Sequence, residues 1–275
     1  MAPGLKNVVL LYVSNWGINT VSIYLYPRGE LVGTLTGLTS PNGICNDKKG
    51  DVWIVNNVAN GDIVEYAHGG TQVKATVSDP GVYPLGCSVD PTTGNLAVTN
   101  VETTRDFRGT VSVYTNARGL PRHYWDLDMY YVFFCGYDDK GNLYVDGLRT
   151  YGGAFVFAEL AKGSNVLKTI ALTGGTIHFP GNVRWDGKYV AVGDQEYEGQ
   201  VTSAIYQTTG SGGAIVGTTP LTGTQNVIGF AIDGETVVVD DTNHDAVEYF
   251  RYRAGGQPTK TMSNILGPYG TAISK

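Results

Sequence analysis

The chain is written as a repeat, and the repeat restricts what it can fold into. Five segments share one pattern: a turn, a short apolar strand, an acidic residue, glycine, and a second strand ending in a small or polar residue. They read PNGICNDKKGDVWIVNN, PLGCSVDPTTGNLAVTN, FFCGYDDKGNLYVDG, PGNVRWDGKYVAVGD and VIGFAIDGETVVVDD. The anchor aspartates Asp47, Asp90, Asp138, Asp186 and Asp233 are 43, 48, 48 and 47 residues apart. The closing PYGTAISK repeats only the first strand, with Ser274 at the anchor 41 residues further on. The opening VVLLYVSNWGINTVSIY supplies only the second and third strands, with Tyr24 opposite Tyr66. The two halves complete one unit, so six units with a mean period of 45.4 residues span the chain.

Within each unit apolar residues alternate at period two, as in Val111/Val113 and Val190/Val192, which is strand behaviour. Helical spacing is confined to a weak stretch near Ala158–Lys162. About 45 residues carrying four short strands make one propeller blade. The expected fold is therefore all-β, a six-bladed β-propeller over residues 7–275 preceded by a tail at residues 1–6. The C-terminal inner strand would join the N-terminal strands in one blade and so remove the open edges. Composition agrees: 38 glycines and 18 tyrosines among 275 residues, with 16% charged where about 25% is usual, suit many tight turns and short strands.

The run P-x-G, apolar strand, D-x-x-G-N-L-Y-V resembles the NHL-repeat and gluconolactonase-like (senescence-marker family) six-bladed propellers. The resemblance covers nearly all of residues 7–275. It implies a divalent cation such as Ca²⁺ near the axis and hydrolase chemistry of the lactonase or esterase kind. It places Asn42, before Gly43, at a family Asn position, and Asp194 and Asp241 at second-strand ends where the family has a metal-binding Asp. The chain departs from the family at Leu85, Ile228 and Tyr269, which stand where Asn is expected, and its first glutamate is Glu30.

Antiparallel neighbours put the start of each inner strand and the end of the second strand on one face. Aligned by the repeat, the second-strand ends are Asn15, Asn57, Asn100, Gly147, Asp194 and Asp241. If their oxygens converge they suit a small ligand or a hard cation; Asn and Asp also cap local backbone at turns. The longest second-to-third-strand loops, residues 101–109, 147–153 and 194–199, are consecutive round the ring and carry Glu102, Arg105, Arg149, Tyr151, Glu196 and Tyr197. Loops that leave the repeat are where binding groups collect. His178 and His244 fall on the same face and are the candidate general bases or metal ligands; His68 is expected in a peripheral turn. No G-x-S-x-G is present, and the glycine-rich stretch 208–214 lacks the Lys-Ser/Thr of a phosphate loop.

Two function classes follow. One is a propeller that binds a small molecule, carbohydrate or protein through a polar axial funnel on its loop-rich face. The other is a metal-dependent hydrolase or lyase using the axial oxygens. A net charge of −6 with no basic block argues against nucleic acid, and no apolar run reaches the roughly 18 residues of a membrane span. Met1-Ala2-Pro3-Gly4 reads as a start methionine before a trimmed mature sequence. The opening residues are not expected to be a signal peptide, and the low Lys/Glu content with abundant Thr, Asn and Gly leads us to expect a bacterial exported protein. Cys87 and Cys135 align with Ile44 at apolar inner-strand positions, while Cys45 is one residue out of phase. Buried thiols are the default, and a Cys45–Cys87 bridge between neighbouring blades is geometrically open.

Overall fold

A computed structural model describes residues 5–196 and 202–275. Six four-stranded antiparallel sheets stand round a common axis. The first blade holds β1 (Leu10–Asn15), β2 (Thr20–Leu25) and β3 (Glu30–Leu35). The second holds β4 (Pro41–Asn46), β5 (Val52–Asn56), β6 (Asp62–Tyr66) and β7 (Val73–Ser78). The third holds β8 (Val82–Val89), β9 (Leu96–Thr103), β10 (Thr110–Tyr114) and β11 (Arg122–Tyr124). The fourth holds β12 (Tyr131–Tyr137), β13 (Leu143–Leu148), β14 (Phe155–Leu160) and β15 (Leu167–Ile170). The fifth holds β16 (Pro180–Trp185), β17 (Val190–Asp194), β18 (Ser203–Thr208) and β19 (Ile215–Leu221). The sixth holds β20 (Val227–Asp233), β21 (Thr236–Asp241), β22 (Ala246–Arg251) and β23 (Lys260–Ser263). The last strand, β24 (Pro268–Ser274), pairs with β1 as the inner strand of the first blade, as the two half-repeats require. The inner strands β24, β4, β8, β12, β16 and β20 contact one another in a closed ring.

The repeat motif has a mechanical reading. The anchor aspartates turn the chain between inner and second strands: Asp47 Oδ1 accepts the N–H groups of Lys49 (2.8 Å) and Asp51 (3.0 Å), and Asp138 Oδ1 does the same for Lys140 and Asn142. Each inner strand starts with a register shift, for example between Pro41 and Ile44. Such a bulge re-aims a side chain at the strand end. Glycine follows because inner strands approach closely there: a Cβ on Gly43 would lie 2.6 Å from the Leu85 carbonyl oxygen. The stretch near Ala158 is strand, not helix, because Ala158 pairs with both Val145 and Thr169 inside a sheet.

Cys45 and Cys87 form a disulfide, Cα–Cα 5.7 Å, between the inner strands of the second and third blades. Cys135 is a buried free thiol. His68, expected at the periphery, is buried at the ring closure. Its Nδ1 lies 2.6 Å from Ser274 Oγ, and its Nε2 lies 3.2 and 3.0 Å from the carbonyl oxygens of Leu5 and Val8. The repeat could not show this, because both chain ends reach His68 only in the closed ring.

Candidate functional site

At its loop end the axis is closed rather than funnel-shaped. At the loop end, the residues between Pro and Gly of the repeat are Asn42, Leu85, Ile228 and Tyr269, and the fourth blade offers Phe133. Leu85 and Ile228 are buried in one apolar cluster with Phe134, and Phe133 and Tyr269 pack against it. Below them the guanidinium of Arg184 crosses the axis. Its Nε donates to Phe230 O (3.3 Å), its Nη1 to Cys87 O (3.4 Å), and its Nη2 to Ile44 O (2.8 Å) and Thr271 O (3.4 Å). Four other blades are thus pinned by one side chain of the fifth. Burial pushes the Arg184 pKa down to about 10. An axial space of only about 10 Å³ lies on one side of Arg184 and a funnel of about 240 Å³ on the other.

The second-strand ends hold backbone. By strand pairing the second-blade equivalent is Asn56, opposite Pro41, and not Asn57; the doubled Asn hid the one-residue shift. Asn56 accepts from Thr39 N–H (3.0 Å), Asp194 from His178 and Phe179 N–H (both 3.0 Å), and Asp241 from Gln225 N–H (3.2 Å). Each clamps the linker that enters its own blade. Asn15 and Asn100 donate instead to pairs of third-strand hydroxyls, Thr20/Ser22 and Thr110/Ser112. Asn57 donates to Pro84 O at 2.7 Å, and Asn42 to Ser40 O at 3.3 Å.

These residues do not fit an axial cation. The oxygens of Asn56, Asp194 and Asp241 are turned to linker N–H groups and the axis is taken by apolar side chains and a guanidinium, although Asn15, Asn42 and Asn100 each keep a buried Oδ1 with no hydrogen-bond partner among the described residues. Asp47, Asp51 and Glu65 bring three carboxylates together on the opposite face. There the Lys74 ammonium bonds Asp51 and, at 2.8 Å, Glu65, so a cation already occupies that corner.

The structure gathers three of the expected residues elsewhere. Arg149, His178 and Glu196 line one cleft of about 650 Å³ between the fourth and fifth blades. Its wall is apolar: Phe155, Phe157, Ile170, Leu172 and Ile177. The cleft exists because the linker after β15 swings away. Thr173 bonds Gly213 O through its N–H and Ile215 N–H through its carbonyl, both at 2.8 Å. Strand β15 pairs with β14 only as far as Phe157↔Ile170, which leaves the loop end of β14 open. His178 Nδ1–H donates to the fully buried Asp194 carboxylate at 3.2 Å. His244 forms a parallel pair with Asp241 at 2.8 Å, and this hydrogen bond and charge hold the imidazolium above its ordinary range. His244 does not line the cleft. Glu102 sits beside Tyr131, whose hydroxyl is held above its ordinary range by burial and then by Tyr130, Glu102 and Tyr151. Tyr197 lies outside the described residues. Arg184 and the cleft's apolar wall escaped sequence reasoning. The signal for Arg184 was present: its position is Cys45, Ser88, Gly136, Ala231 or Ala272 in the other copies, small because one arginine fills the shared space.

The fold and its apolar-walled, loop-side cleft define a six-bladed propeller. A solved chain from a nidogen/laminin complex is similar, with TM-score 0.75 and 14% identity over 97% of this chain and 98% of that one. A Bacteroides caccae protein of unknown function matches with TM-score 0.67 and 14% identity, over 98% of this chain and 100% of its own. No protein-family model matches the chain, and no curated protein matches it. The likeness establishes the architecture. No helix among the described residues is long and apolar enough to cross a membrane.

Proposed function

We propose that this propeller is a binding protein that takes a small amphipathic molecule into the cleft between its fourth and fifth blades. One observation carries the reading: Arg149, His178 and Glu196 meet an apolar wall of Phe155, Phe157, Ile170, Leu172 and Ile177. Binding sites are mostly apolar concavities with a few placed polar groups. The ligand's body lies on the aromatic wall and its polar end meets the arginine, imidazole and carboxylate. Participation of a similar chain in a nidogen/laminin complex supports recognition as a use for the fold, although fold alone does not assign function. The D-x-x-G-N-L-Y-V run at residues 138–145 supports kinship with NHL and gluconolactonase-like propellers. The Cys45–Cys87 bridge supports an oxidising, exported location.

A second reading, hydrolase or lyase chemistry, has one observation behind it. His178 is oriented by a buried carboxylate within the same cleft, the arrangement of a general base.

The test uses 1-anilinonaphthalene-8-sulfonate, an apolar body with an anionic group. Saturable fluorescence enhancement on the native protein is expected. Leu172→Asp, on the half-buried linker, should weaken it about tenfold or more, since it sets a carboxylate on an apolar wall. Fluorescence that does not saturate, or that Leu172→Asp leaves unchanged, rules the cleft out.

A further inference from the structure

We propose that the loops of the third and fourth blades carry a saccharide-stacking subsite centred on Tyr151 and bordering the cleft. The inference rests on the loop face being the binding face and names a ligand class for a part of it that shares only Arg149 with the cleft.

Three loops are tied together without any ligand. Gly109 N–H donates to Tyr130 O (2.7 Å) and Tyr130 N–H to Leu148 O (2.8 Å). Arg149 Nη1 bonds Asp128 Oδ1 at 2.7 Å across them. On this frame stand three tyrosines. Tyr130 and Tyr131 have ring centroids 4.9 Å apart at 68°, and Tyr131 and Tyr151 are 6.2 Å apart at 74°. Arg108 covers one face of Tyr130 at 5.4 Å. Tyr151 is 89% exposed, so its ring contributes almost nothing to the core. An aromatic held out on a fixed loop carries an apolar face with a polar tip.

The surrounding charges select the ligand. The core of a protein-docking surface is depleted of Asp, Glu and Lys, so the carboxylates Asp128 and Glu102 tell against one. Here Arg149, Asp128, Glu102 and Arg108 stand among the rings. The exposed Arg149–Asp128 pair adds little to stability and offers a donor and an acceptor side by side. A pyranose has the matching chemistry: a C–H face for the tyrosine ring, and hydroxyls that both accept from a guanidinium and donate to a carboxylate. The steep tilt between rings makes a stepped surface, suited to successive sugar rings more than to one flat aromatic.

Native gels cast with soluble xyloglucan, laminarin, galactomannan or polygalacturonate test this. The protein should be retarded in at least one of them. Tyr151→Ala, which melts as the parent does because the ring is exposed, should weaken that retardation about tenfold, the loss of one stacked aromatic. Tyr151→Phe keeps the ring and should restore it. Leu172→Asp should leave it intact, which separates this subsite from the cleft. Absence of retardation in all four gels overturns the proposal. So does retardation that Tyr151→Ala leaves unchanged, the outcome expected if the platform serves a protein partner.

Discussion

The seam between the second and third blades and the seam between the fourth and fifth are built from equivalent strands, yet they end differently. At the first, Cys45 and Cys87 are covalently joined and lie in one cluster with Trp53, Val55, Leu96 and Tyr114. On the loop side Asn57 reaches across to Pro84 O. At the second, Ser211 Oγ of the fifth blade lies 3.2 Å from the Tyr144 hydroxyl of the fourth and donates to Glu159 at 2.7 Å, away from the loop face. Towards the loops the walls part, because the linker goes to Gly213 and Ile215 rather than back onto β14. A propeller has one way of packing blades and few places to depart from it. The departure here is where Arg149, His178 and Glu196 collect on an apolar wall.

The largest test of this contrast breaks the closed seam. Replacing Cys45 and Cys87 together with Ala should cost about 3 kcal/mol, a fall of about 6–12 °C in Tm, while anilinonaphthalene sulfonate binding at the cleft persists. Loss of both together would show the seams to be coupled. A second test uses the seam between the sixth and first blades, where Thr271 bonds the buried Asp240. Burial pushes the Asp240 pKa up to about 8, against the lowering effects of Thr271 and then Arg184. Between about pH 4 and 8 the folded chain therefore keeps a proton that the unfolded chain releases, and stability falls as pH rises through that window. Asp240→Asn should reduce this slope in urea titrations at pH 5 and 8, the part set by Asp146, whose carboxyl pKa burial also raises, remaining; an unchanged slope removes Asp240 as a source. The smallest effect comes from closing a further seam. Ser88 stands to Cys135 as Cys45 stands to Cys87, and Ser88 Oγ already accepts Tyr137 N–H at 3.0 Å. Ser88→Cys should form a second bridge, read as loss of the free thiol under denaturing conditions. A persistent thiol would show that the third and fourth blades are spaced differently.

The ring was legible because each blade repeats its own turn chemistry: Asp47, Asp138 and Asp186 announce the same hairpin, and the split first blade follows from half-repeats at the two ends. The site was legible only in its location. Arg149 and Glu196 could be placed on one rim from loop length, but their shared cleft depends on where residues 171–177 travel, and that is set by contacts with Gly213 and Ile215 far along the chain. Asp194 and Asp241 showed the right residue type and the right strand end, yet side-chain direction decides between ligand and clamp. That direction is fixed by the linker N–H groups they meet. His68 looked like an ordinary turn residue because neither of its partners, at Leu5/Val8 and Ser274, is near it in sequence.

The placement of β24 reaches beyond the folded state. The first blade to leave the ribosome lacks its innermost strand until the last residues of the chain are made. His68 likewise waits for Ser274. The other five blades are built from consecutive strands and can assemble as they emerge, whereas the ring closes only once β24 is in place. Until β24 docks, the inner edge of β1 is an unpaired strand edge, the kind of edge that invites misassembly.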